Sequence, residues 1–213
     1  MPILRYTLLT DGSSDNALIP ILNWLLVDLG IPVAIQAEWA DLSGYTARSL
    51  QDRIARAVDL YECDLLFIHR DAEAQGREQR VEEIQSAVEQ ATLDLNCDYI
   101  PVIPIRMTEA WLLLSEDAIR YAAENRMGTV PLDLPRLSQL ERLTDPKDCL
   151  HGLLRAASQK TGRRLREFKP QRFVHRITDV IDDFSPLRNL SSFQALESDV
   201  RNWMTGLPGQ IIA

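Results

Sequence analysis

The stretch "LLTDGSSD", residues 8–15, joins an apolar run to a polar turn that carries two carboxylates, Asp11 and Asp15. Residues 3–10 read as a buried strand. Residues 15–29 predict a helix, because Leu18, Leu22, Leu25, Leu26 and Leu29 recur at helical spacing, Gly30 stops the run and Pro32 follows. A strand-to-helix turn needs only Gly12 and a capping side chain. Two acids four residues apart at such a turn ask for a further reason.

Working outward, the alternation repeats. "PVAIQAEW" (32–39) reads as a second strand, "TARSLQDRIARAVDLY" (46–61) as a second helix, and "DLLFIHR" (64–70) as a strand apolar enough to be covered on both faces. Residues 76–95 predict a third helix. "YIPVIPIRM" (99–107) predicts a fourth strand, which Pro101 and Pro104 mark as an edge or irregular one. Residues 108–125, "TEAWLLLSEDAIRYAAEN", predict a fourth helix capped by Thr108. Strand and helix thus alternate four times, which predicts an α/β fold: a mostly parallel four-stranded sheet wrapped by helices through right-handed crossovers. "ENRMGTVPLDLPRL" (124–137) is the best boundary, dividing an α/β part, 1–125, from a helical C-terminal region, 126–213. Helices are expected there at 145–162, with Asp145 capping, Pro146 in the first turn and Gly162 ending it, and again at 170–184 and 191–207.

The chain has 213 residues and a net charge of −8. Taken whole, that charge argues against nucleic acid. Its distribution argues otherwise: residues 1–125 hold 9 Lys/Arg against 21 Asp/Glu, and residues 126–176 hold 12 against 5. A basic block behind an acidic half suits a phosphate-binding surface beside a metal-bearing centre, although a solvated helix face reads the same way. No run approaches the ~18 apolar residues of a membrane helix. The N-terminus lacks a signal-peptide layout, so a cytosolic address is expected. Cys63, Cys97 and Cys149 form no CxxC pair, and with His69, His151 and His175 equally dispersed they suggest neither a disulfide framework nor a His/Cys metal site.

The acids fall at strand ends. Asp11 and Asp15 follow the first strand, Asp71 and Glu73 (in "HRDAEAQG") the third, and Glu109 the fourth. Ligands of open parallel sheets bind beyond the carboxyl ends of the strands, so five carboxylates are delivered to one rim. Crowded carboxylates raise one another's pKa unless a cation sits among them. Oxygen donors without His or Cys suit Mg²⁺ or Mn²⁺, and five acids suffice for two ions. Each acid also has a plainer reading: Asp15 as a helix cap, Asp71 and Glu73 as loop acids, Glu109 as a complement to its helix dipole. Asp41, in "WADLSGY", follows the second strand and reads as a loop residue.

"TDGSSD" after the first strand and "DAE" after the third resemble a Toprim domain, in the branch found in OLD-type nucleases and their small stand-alone relatives. "TEAWLL" resembles that branch's later acidic motif, and "DPKD" (145–148) and "SPLRNLSSFQAL" (185–196) resemble elements of a stand-alone family within it. The resemblance covers the first 115 residues and, more weakly, the tail. It departs at two positions, where Asp11 stands for the usual Glu and Glu73 for the more usual Asp.

The resemblance implies a Mg²⁺- or Mn²⁺-dependent nuclease, with Asp11, Asp15, Asp71, Glu73 and Glu109 as metal ligands and a role beside an ATPase in phage defence. The chain has no GxxxxGK[ST] phosphate loop, so such an ATPase would be a separate partner. Hydrolysis of DNA or RNA is expected to use Asp11, Asp71 and Glu73, with Lys147 neutralising charge on the phosphate unless it is a plain surface lysine. Arg163, Arg164, Arg166, Lys169 and Arg172 would track the nucleic-acid backbone. Trp111, Leu112 and Leu113 read as core. Two other classes stay open: a receiver-like Mg²⁺-binding phosphoacceptor, which would need a lysine after a fifth strand, and a non-catalytic interaction subunit.

Overall fold

The computed structural model describes residues 3–46, 49–91 and 95–206. Four strands, β1 (Ile3–Leu9), β2 (Ala34–Trp39), β3 (Leu65–His69) and β4 (Asp98–Val102), form one sheet in the order β2-β1-β3-β4. Every neighbouring pair is parallel, with Tyr6 registered on Leu65 and Leu65 on Asp98. The chain leaves β1 toward β2 and returns to β3 on the other side of β1. The crevice beyond the ends of β1 and β3 is therefore the switch point of a doubly wound, Rossmann-like sheet.

Helices cover both faces. Helix α1 (Leu18–Asp28) packs Leu18, Ile21, Leu22, Leu25 and Leu26 against Leu4, Tyr6 and Leu8 of β1, while α2 (Leu50–Leu60) and α3 (Arg77–Gln90) cover Leu9, Leu66 and Ile68 on the opposite face. Ser49 starts α2, its hydroxyl accepting from the Asp52 N–H at 3.2 Å. Gly76 starts α3 at φ 89°, where a Cβ would be strained. Parts of three predicted helices (residues 47–48, 92–94 and 207) lie outside the described residues.

The expected helix over 108–125 is two. Helix α4 (Glu109–Leu112) ends at Leu113, and α5 (Glu116–Ala122) restarts under a Ser115 cap whose hydroxyl accepts from the Ala118 N–H at 3.3 Å. The break lets the apolar run Trp111–Leu113 bury completely. Helix α6 (Pro146–Ser158) begins as expected, with Asp145 accepting from the Asp148 N–H at 2.8 Å. It ends earlier than expected, at Gln159 in a left-handed conformation, and Gly162 instead opens the short α7 (Gly162–Glu167). Residues 170–184 are not a helix but successive 3-10 turns, Pro170–Arg172, Val174–Arg176 and Thr178–Val180. Their β-branched residues lose rotamer freedom in an α-helix, and the tighter turns bury Val174 and Ile177. Helix α8 (Ser191–Gly206) packs on β4, its Trp203 Nε1–H donating to Asp98 at 2.9 Å.

The C-terminal elements share a core with the sheet. Trp111 and Phe193 meet edge to face at 5.3 Å between ring centres, in the cluster that also holds Tyr6, Phe67, Leu150 and Leu196. Each such side chain contributes about 1.5–3 kcal/mol by leaving water. No helix among the described residues is long and apolar enough to cross a membrane.

Candidate functional site at the switch point

Three loops build the site. After β1, residues Ser13–Ala17 form a 3-10 turn rather than the first turn of α1, and Asp15 folds back to accept the Gly12 N–H at 3.0 Å. A Cβ on Gly12 would stand 3.2 Å from that carboxylate, tight enough to disturb it. After β3 the chain keeps pairing with the segment beyond β4: Arg70 N–H donates to the Val102 carbonyl at 3.1 Å and Ala72 N–H to the Pro104 carbonyl at 3.1 Å. That extension carries Asp71 beside Thr108, whose N–H donates to the Asp71 carboxylate at 2.8 Å. Thr108 stands at the N-cap position of α4, as the sequence suggested, but its hydroxyl makes no cap and instead lies 2.9 Å from His69 Nε2 and 3.3 Å from Asp71.

His69, the last residue of β3, is fully enclosed between two acids. Its Nε2 lies 3.2 Å from Asp71 Oδ1 and its Nδ1 3.6 Å from Asp15 Oδ2. Glu109, first residue of α4, is buried beside them, and Lys147 on the first turn of α6 reaches it at 3.8 Å. Burial raises the pKa of Glu109; Lys147 opposes the rise and Asp71 and Asp15 add to it. Burial likewise raises Asp15, with His69 opposing and Asp71 and Asp11 adding. Asp71 is held below the usual carboxylate range, because His69 and Thr108 outweigh the effect of its burial. Asp15, Asp71 and Glu109, from three loops, thus repel one another, with Asp15 and Glu109 buried and Asp71 partly so.

The other two predicted ligands are differently engaged. Asp11 is exposed and ion-paired to Arg53 and to Arg70, the latter at 3.0 Å. Arg70 continues to Glu83 at 3.0 Å, Glu83 to the buried Arg80 at 2.6 Å, and Arg80 to Glu73 at 3.0 Å. Arg80 Nε–H also donates to the Asp71 carbonyl at 2.9 Å, so this chain of alternating charge braces the rim. Asp41 accepts the Ser43 N–H at 3.0 Å and is a loop residue, as read from the sequence.

The residues fit a hard dication in a limited way. Among the described residues no three His, Cys, Asp or Glu side chains stand close enough together to hold an ion directly. Mg²⁺, however, usually takes one or two carboxylates and keeps several waters. Asp15, Asp71 and Glu109 offer that donor set; Asp11 and Glu73 already have cationic partners.

The sequence reading missed His69, Thr108, Arg53, Arg70 and Arg80. A signal for His69 existed: in a strand, residues two apart share a face, so His69 lies on the face that Asp71 extends. The basic block follows the far end of α6, which lies about 16 Å from Lys147 by helix rise, and the turn after the block, Val174–Arg176, packs back on the Ser13–Ala17 turn. Arg163 there is paired with Glu167 at 2.7 Å, while Arg164, Lys169 and Arg172 line a depression of 260 Å³ with Lys160, Phe168 and Phe173. Phe168 and Phe173 stack at 4.8 Å, and Lys160 lies over Phe168 at 4.5 Å. Arg166 is exposed on α7. No protein-family model, curated protein or solved structure matches the chain.

Proposed function

We propose that the chain is a Mg²⁺- or Mn²⁺-dependent phosphodiester hydrolase of nucleic acid, of the Toprim kind that "TDGSSD", "DAE" and "TEAWLL" resemble. One observation carries the reading: Asp15, Asp71 and Glu109 converge from three loops at the sheet's switch point, and two of them carry raised pKa values there. A dication would relieve that repulsion and, when bound, would polarise the scissile phosphate and lower the pKa of a bound water.

The chain's own residues do the rest. Asp71 is the primary ligand, oriented by the Thr108 N–H and by His69. Asp15 and Glu109 hold the ion through its waters. Lys147 keeps a positive charge over Glu109 where a phosphate oxygen would lie. Asp11 and Glu73 set the positions of Arg70 and Arg80, and so of the loop that carries Asp71. From Lys147, α6 leads toward the basic block over about 16 Å of helix, roughly five nucleotides at 3.4 Å per strand residue. A strand bound along it meets Arg164, Lys169 and Arg172. A cytosolic setting and a separately encoded ATPase partner belong to the same proposal.

A second reading, a non-catalytic interaction subunit, is favoured by the arginine pairing of Asp11 and Glu73. One experiment separates the two. Plasmid and single-stranded DNA are incubated with the protein in Mn²⁺, Mg²⁺ or chelator, beside Asp71→Ala. Cation-dependent cutting lost in the variant supports the hydrolase. Equal cutting by the variant overturns the proposed site; no cutting by the wild type, with no effect of Mn²⁺ on melting, overturns the hydrolase in favour of docking.

A further inference from the structure

Two thiols meet at the opposite end of the sheet, away from the acids. Cys63 directly precedes the β3 approach and Cys97 directly precedes β4. Leu65 is registered on Asp98, so Asp64 comes opposite Cys97 and Cys63 lies one residue off it on the diagonal; residues 34 apart in sequence thus become neighbours, with their Sγ atoms 3.7 Å apart. Adjacent strands lie about 4.8 Å apart, and disulfides span Cα separations of roughly 4.4–6.8 Å. Both side chains are half-buried against the α2 and α3 layer, and both line an open cavity of 630 Å³ with Arg5, Tyr61, Asp64 and Asn96.

We propose that Cys63 and Cys97 form a peroxide-oxidised dithiol, with Cys63 as the attacking sulfur and Cys97 as the resolving thiol. The Cys63 thiolate attacks one oxygen of hydrogen peroxide; the O–O bond breaks, hydroxide leaves and takes up a proton as water, and Cys63 becomes a sulfenic acid. The Cys97 sulfur then attacks Cys63; the S–O bond breaks, a second water leaves with the Cys97 proton, and the disulfide closes. Two electrons pass from the sulfurs to the peroxide.

The local chemistry divides the labour in this direction. The hydrogen bond shared with Cys97 brings the Cys63 thiol down to about 7, with help from Thr7 and against burial and Asp64. The same hydrogen bond drives Cys97 up, leaving it the proton holder until Cys63 has reacted. Cys149, on α6, has no such partner, and burial and Asp148 raise its pKa. All three cysteines are free in the structure.

The test is a thiol map of the full chain. The wild-type protein is treated with a small excess of hydrogen peroxide at pH 7, alkylated, and digested without reductant. The expected product is a peptide pair linked Cys63 to Cys97, with Cys149 still alkylated. Before oxidation, Cys63 should alkylate about tenfold faster than Cys149. Cys97→Ser should stop at a sulfenic acid on Cys63, captured by a cyclic dione. The wild-type map requires no substitution, so a poorly folding variant leaves the test intact. Cys63 reacting no faster than Cys149, or Cys63 oxidised while Cys97 stays free or links to another chain, overturns the proposal. None of these outcomes depends on the hydrolase reading.

Discussion

Thr108 holds Asp71 with its backbone N–H at 2.8 Å and meets His69 with its hydroxyl at 2.9 Å, so one residue sets both the carboxylate and the ring behind it. Thr108→Val keeps the N–H and removes the hydroxyl, leaving a buried imidazole nitrogen without that partner. The expected cost is about 1–3 kcal/mol of stability, seen as a lower melting temperature, with cutting reduced about tenfold. Thr108→Ser should restore both. A valine variant as active and as stable as the parent would show that the hydroxyl positions nothing.

Asp11 and Asp71 should respond differently to cations. Asp71→Asn removes the carboxylate proposed as the primary ligand and should abolish the rise in melting temperature with Mn²⁺, which at a hundredfold excess over Kd amounts to about 2.7 kcal/mol. Asp11→Asn loses only charge against Arg53 and Arg70 and should keep most of that rise. The measurement is differential scanning fluorimetry across a Mn²⁺ titration. If instead Asp11→Asn loses the response and Asp71→Asn keeps it, the ion lies nearer Asp11.

Lys147 is more than half exposed and meets Glu109 at 3.8 Å. Glu109 is buried, but Lys147 stands in solvent and at 3.8 Å the pair is screened from that side, so it contributes about 1 kcal/mol. Lys147→Met should therefore melt close to the wild type while kcat falls by an order of magnitude or more. Equal kcat would return Lys147 to the plain surface.

Within the basic block, charge reversal of Arg164 and Lys169 should flatten the dependence of DNA affinity on salt by about one logarithmic unit of slope per lost phosphate contact. Arg163, already paired with Glu167, should matter less. Binding isotherms between 50 mM and 200 mM salt, on the order of the range where such slopes are read, decide it.

Glu141 gives a pH signature. Its carboxylate accepts from the N–H groups of Ser191 and Ser192, at 3.1 and 2.8 Å, and from both hydroxyls, closing the start of α8. Burial works to raise its pKa, but these serine donors win and hold it below the ordinary 4.5. A depressed carboxylate stabilises the fold above its unfolded pKa and loses that contribution as pH falls through the folded one. Glu141→Gln should cost about 1–2 kcal/mol at pH 7, and the gap in melting temperature should close as the pH drops below 4.5. A gap that persists to pH 3 would assign the loss to packing.

Much of the architecture was legible because burial on both faces leaves apolar runs, and "LLFIH" or the leucines of α1 carry that mark directly. The prolines of β4 announced an edge. Where reading failed, tertiary contacts had overruled local pattern. Helical spacing continues through Leu112–Leu114, yet Ser115 restarts the helix because capping there lets three apolar side chains bury. The acids were found from their strand ends, but their arginine partners were not: Arg53 reaches Asp11 from another element, a pairing no spacing reveals. Cys63 and Cys97 meet for the same reason, through strand register.

Pro101 bears on how copies of this chain can associate. Val102 and Pro104 turn their carbonyls inward to β3, so Pro101 occupies the alternate row that faces out from the sheet. It has no N–H to offer there, and α8 lies along the same strand. That border is closed to a foreign strand, and any zipping of two sheets into one has to start from β2, where Gln36 and Glu38 flank the rim.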